Sequence, residues 1–136
     1  MNTARLDLRS AFALLALVGA IWFAGPGSRP DVPEVSLEEA RALMDAGAVV
    51  IDVRDRAASG SAHLPGALLI PLEVLSAHLA GLEAAKAKTI VVYCGNGSYR
   101  GPEAVQLLTN AGFTNVVNLA PGFSGWRDAG LPVKGA

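Results

Sequence analysis

At 136 residues the chain has the length of one ordinary domain with a modest core. Its net charge of −1, with no basic run interleaved with aromatics, excludes an electrostatic nucleic-acid binder. The single cysteine excludes an internal disulfide and any multi-cysteine metal site, and His63 and His78 have no carboxylate cluster beside them to make another.

The 51% hydrophobic content has a local source. Arg5 and Arg9 precede SAFALLALVGAIWFAG, residues 10–25, which carry no charge. A basic segment followed by such a stretch is the pattern of a secretory signal. As a helix it would span roughly 24 Å, short of the ~30 Å hydrocarbon core. Val18-Gly19-Ala20 offers small residues for cleavage, whereas Trp22 suits the interface of a retained anchor. The flanking charges and terminal position stand against a third reading, a buried core helix. Residues 1–25 are therefore expected to be a signal peptide or membrane anchor. The domain is expected to be exported to the periplasm, either soluble after cleavage or anchored in the inner membrane. Three prolines and two glycines in GPGSRPDVPEV cannot make a helix or a central strand. Residues 26–35 thus read as a linker, and the folded domain as 36–134.

Within that domain, Ser36 and Glu39 form a capping box opening a helix with Leu37, Ala40, Leu43 and Met44 on one face, ended by Gly47. AVVIDVRD supplies a buried strand over 48–53. A polar, small stretch through Gly60 and His63 leads to a short strand at 68–70. Leu72, Leu75, Leu79 and Leu82 recur at helical spacing. TIVVYC is a second apolar strand, and 102–111 a helix with Pro102 first and Gly112 just past its end. TNVVNL is the last strand, and Trp126 in GFSGWRDAGLPV caps the core. Helices alternating with continuous apolar strands argue an α/β fold, a parallel sheet covered on both faces.

Cys94 follows the VVY strand and opens the loop Gly95, Asn96, Gly97, Ser98, Tyr99, Arg100, Gly101. Ligands of open α/β sheets bind beyond the carboxyl ends of strands. Glycines allow successive N–H groups to converge as an anion nest, and the following helix adds the positive end of its dipole. A sulfur in that nest is favoured as thiolate. Arg100 offers a planar fork for an oxyanion. The pattern is that of a nucleophilic cysteine facing an anionic substrate, against the common alternative of a buried structural cysteine.

IDVRD at 51–55, AHLPGALLIP at 62–71, VVYC at 91–94 and APGFSGWRDAGLPV at 120–133 resemble, in order and spacing, the segments of rhodanese domains. The resemblance implies the small rhodanese-like fold, a parallel five-stranded sheet with helices on both faces. It implies that Cys94 takes sulfur from an anionic donor such as thiosulfate, holds it as persulfide and passes it to a thiol or cyanide acceptor, with a thioredoxin-like reductant as a further partner. It implies no cofactor. It also implies that Asp52 braces the loop and Arg54 orders its surroundings. His63 matches the family's Gly-His pair with Ala62 in place of glycine, and reads as a hydrogen-bonded structural residue. His78 reads as a solvated helix residue.

Two departures bear on chemistry. Ala58 and Ser59 stand where the family carries an acidic and aromatic pair. Arg100 comes six positions after the cysteine rather than five, a spacing that resembles phosphatases and arsenate reductases of the same fold. Against that alternative, Tyr93 stands where those enzymes carry His, Gly101 replaces a hydroxyl residue, and only Asp52, Asp55 and Glu103 are candidate leaving-group acids. Sulfur transfer is the expected activity. Oxyanion chemistry on phosphate or arsenate, or a non-catalytic anion-binding module, are the alternatives.

Overall fold

The computed structural model describes residues 29–135, so the expected signal or anchor, residues 1–25, lies outside the described residues. No helix among the described residues is long and apolar enough to cross a membrane.

Five parallel strands form one sheet: β1 (Glu34–Val35), β2 (Val49–Asp52), β3 (Leu68–Leu69), β4 (Ile90–Tyr93) and β5 (Val116–Leu119). Their order is β1-β5-β4-β2-β3, which puts β4 at the centre. Alternation along the strands divides the apolar residues between two faces. Val50, Val91 and Tyr93 pack with Ala40 of α1 (Leu37–Asp45) and with Phe123 and Trp126 of α5 (Gly122–Asp128). Ile51, Ile90 and Val92 pack with Leu75 of α3 (Leu72–Leu75) and with Ala104, Val105 and Leu108 of α4 (Arg100–Asn110). Burying each large aliphatic side chain contributes about 1.5–3 kcal/mol. The doubly covered sheet follows from strands that are apolar on both sides.

Several expectations hold in detail. The Ser36 hydroxyl accepts the Glu39 amide at 3.1 Å, and Gly47 follows α1 at φ 95°. Trp126 is buried and its indole N–H donates to the Pro132 carbonyl at 2.8 Å. His63 is structural: its Nδ1 lies 2.9 Å from the Ser59 carbonyl oxygen, and its backbone pairs with Lys134. His78 is exposed, with Nδ1 2.8 Å from the Val74 carbonyl oxygen.

Others need correction. The expected linker ends in structure: Glu34 and Val35 form β1, paired with Asn118 and Leu119. An edge strand has a partner on one side only, and Pro33 contributes the carbonyl that accepts the Asn118 amide at 2.9 Å, so its missing N–H is not needed. The stretch after Asp55 is a helix, α2 (Arg56–Ser61), capped by the Asp55 carboxylate, which accepts the Ala58 amide at 2.8 Å. The strand expected over 68–70 is two residues long. After one α-helical turn, Ser76–Ala85 is 3-10 helix. Leu79, Leu82 and Ala85 recur every third residue there, the period of that tighter helix. Finally, α4 begins at Arg100, so Pro102 occupies its third position rather than its first. The first-turn N–H groups have no intrahelical acceptor, so proline is tolerated there too.

Candidate active site

The chain leaves β2 toward β3 on one side and leaves β4 toward β5 on the other. The carboxyl ends of β2 and β4 therefore flank a topological switch point, where open α/β sheets bind ligands. Cys94 follows directly on β4, and residues 53–55 follow β2. A cleft of about 250 Å³ opens between them, lined by Arg54, Asp55, Ala58, Gly95 and Arg100. Larger surface depressions lie beside α1, away from the cysteine.

Cys94 is 2% exposed and belongs to the core cluster on the α4 face. The loop after it is stitched to the start of α5: the Phe123 amide donates to the Cys94 carbonyl and the Ser124 amide to the Gly95 carbonyl, each at 2.8 Å. Asn96 Oδ1 accepts the Ser98 amide at 3.0 Å, a local turn at the loop tip. Gly97 has φ 79°, and a Cβ there would overlap the Ala120 carbonyl, so both its backbone and its surroundings require glycine. Tyr99 is 65% exposed at the loop's outer edge. Among the described residues, the amides of Gly95, Asn96, Gly97, Tyr99, Arg100 and Gly101 donate to no protein acceptor.

The arginine is held differently from the sequence expectation. Arg100 Nε donates to the Val53 carbonyl at 3.2 Å, and its NH2 pairs with the Glu73 carboxylate at 2.6 Å. Its fork therefore lies along the cleft wall, shared with an acid of α3, rather than across the loop. Glu73 is a site residue that sequence reasoning missed.

Among the described residues, the Asp52 carboxylate makes no hydrogen bond to the cysteine loop. Its buried carboxylate accepts the Arg54 Nε at 3.0 Å, the Arg54 NH2 at 2.7 Å and the Tyr93 hydroxyl at 2.7 Å. Tyr93 in turn accepts the Leu64 amide at 3.0 Å. Arg54 also donates to the Ala62 carbonyl at 2.6 Å and lies 4.0 Å from the Phe123 ring centroid, so it joins the β2 end to α5. Burial works against the Arg54 charge, but the hydrogen bond and charge of Asp52 outweigh it and hold the guanidinium above its ordinary value. Burial, and then the bond to Asp52, push the Tyr93 phenol upward. The triad fixes one wall of the cleft. Of the three carboxylates open as leaving-group acids, Asp52 is paired within this triad and Asp55 caps α2.

A family model described as the rhodanese-like domain matches residues 36–129. The chain belongs to the rhodanese-like domain family. Among curated relatives, thiosulfate sulfurtransferase GlpE of Pseudomonas fluorescens is 36% identical over 90 residues, 66% of this chain and 80% of that protein. The uncharacterized protein YibN of Escherichia coli K12 is 34% identical over 97 residues, 71% of this chain and 67% of that one. Among solved structures, the human single-domain sulfurtransferase TSTD1 aligns with TM-score 0.61 and 34% identity over 72% of this chain and 97% of its own. The rhodanese-like domain of Anabaena sp. Alr3790 aligns with TM-score 0.66 and 30% identity over 76% and 80%. These neighbours share the five-stranded parallel architecture of this rhodanese-like domain.

Proposed function

We propose that this domain is a sulfurtransferase that carries sulfane sulfur on Cys94. The observation that carries the reading is the placement of the chain's one thiol at the switch-point end of β4, beside a cleft lined by two arginines and a loop of unpaired amides. The sulfurtransferase names of its relatives fit that chemistry.

With thiosulfate as donor, the Cys94 thiolate attacks the outer sulfur. A new S–S bond forms to Cys94, the S–S bond of thiosulfate breaks, and sulfite leaves with the electron pair. The loop amides and Arg100 bind the anionic end of the donor, and the buried wall excludes water from the persulfide. Cyanide then attacks the terminal sulfur, releasing thiocyanate and restoring the thiolate. A thiol acceptor instead becomes a persulfide itself. If that acceptor is a dithiol of the thioredoxin type, its second thiol closes a disulfide and expels hydrosulfide.

Mass spectrometry of the intact protein tests the reading. Thiosulfate should add one sulfur atom and cyanide should remove it, with both steps lost in Cys94→Ser. Turnover that survives this substitution would overturn the assignment.

A further inference from the structure

Asn118, on β5, is completely buried, and its Oδ1 is a buried polar side-chain atom without a hydrogen-bond partner. An orphaned buried acceptor costs about 1–3 kcal/mol, so its position calls for an account. The amide nitrogen is fully used: Nδ2 lies 3.0 Å from Glu34 Oε2 and 3.0 Å from the Gly97 carbonyl oxygen. Both partners are acceptors, so the two amide hydrogens belong on that side and the carboxamide cannot be turned over without setting oxygen against oxygen. Oδ1 is therefore committed to the opposite side. There it faces Gly101, where a Cβ would overlap it and would lie 3.5 Å from Cys94 Sγ. The absent side chain at 101 leaves the space that the carboxamide oxygen and the sulfur both border.

We infer that Asn118 is a positioning residue of the sulfur site: its unpartnered Oδ1 borders the same space at Gly101 as Cys94 Sγ, and accepts the S–H when the protonated thiol turns into that space. The same carboxamide holds the Gly97 carbonyl through Nδ2, so one side chain fixes both the loop and the sulfur within it. The thiol is the donor that the orphaned oxygen lacks. The inference rests on the reading of Cys94 as the working sulfur, but its test does not.

One cysteine means one S–H oscillator, so the infrared S–H band of the reduced protein, recorded at acidic pH without donor, reports Cys94 alone. In the folded wild type the band should lie at lower wavenumber than in the same protein unfolded in urea, a comparison that needs no variant. Asn118→Leu, which removes the acceptor, should move the band of the folded protein upward. Gly101→Ala should do the same by displacing the oxygen, while Glu34→Gln, which alters only the Nδ2 side, should leave it in place. A wild-type band that coincides with the unfolded one, or one unmoved in a folded Asn118→Leu protein, would overturn the inference and leave Asn118 as a loop anchor only. Thiosulfate loading of the same preparations is read separately, so failure here is distinguishable from failure of the sulfurtransferase reading.

Discussion

Arg100 and Glu73 show how the balance of the cleft is set by single side chains. An anionic donor must share the Arg100 fork with a carboxylate that already holds it at 2.6 Å, although the Glu73 side chain is 63% exposed. An exposed pair of this kind contributes about 0.2–1 kcal/mol. Glu73→Gln should therefore lower KM for thiosulfate by a corresponding small factor, more at low salt than at high. Arg100→Lys should act in the other direction and more strongly, by about 1.5–3 kcal/mol in kcat/KM, because a point charge cannot reproduce the fork. Steady-state kinetics at two ionic strengths check both, and a Glu73→Gln protein with raised KM would contradict the competition. Tyr93 yields a different kind of expectation. Its phenol titrates above the ordinary value of 10.0 in the folded chain. Below pH 10 both states keep the proton. Above it the unfolded chain releases its proton first, so folding stability falls as pH rises. Tyr93→Phe should flatten that decline in urea titrations between pH 8 and 11. At neutral pH it should cost about 1–3 kcal/mol, because the Leu64 amide and Asp52 lose their partner.

The elements were legible to different depths, for physical reasons. Strands β2, β4 and β5 are continuous apolar runs and could be read directly. The capping box of α1 uses a local signal, Ser36 to Glu39, and was equally plain. Pro102 misled, because proline fits any of the first helical positions and only the loop's attachment to α5 decides where the helix starts. Glu73 was silent because its pairing with Arg100 spans 27 positions and two elements, and Asn118 because its contacts come from β1 and the cysteine loop. The loop itself carries a decisive experiment. Ser98 is the residue that makes the Cys94-to-Arg100 spacing six, and its amide is tied only to the Asn96 side chain beside it. Deleting Ser98 should leave persulfide formation detectable or improve it. If the wider loop instead serves phosphate or arsenate, the wild type should hydrolyse an aryl phosphate and the deletion should abolish that activity. Efficient aryl phosphate cleavage without sulfur uptake would reverse the assignment.

For the whole molecule, the charge-free stretch after Arg5 and Arg9 leads us to propose that the domain works outside the cytoplasm. An alkaline phosphatase fusion after residue 35 should be active, since that reporter folds only where disulfides form. An abundant but inactive fusion would count against export, and carbonate extraction of an active one would separate soluble from anchored protein.

The family match begins at residue 36, yet the molecule's working end reaches back further. Arg29 pairs with Glu34 and also donates to the Gly97 carbonyl at 3.4 Å, Glu34 holds Asn118, and Val35 accepts the Ala120 amide at 3.0 Å. The seven residues Arg29–Val35 are thus a buckle between the N-terminal edge strand and the loop that carries the thiol. A chain trimmed to residues 36–136 would keep every residue of the family match and lose the buckle. It should unfold at lower temperature than a chain starting at Arg29, and amide hydrogen exchange at Gly97 and Ser98 should be faster in the shorter protein. Equal exchange in the two would mean that the strap and the loop are mechanically independent. If they are coupled, any tether on the N-terminal side tugs first on the sulfur site.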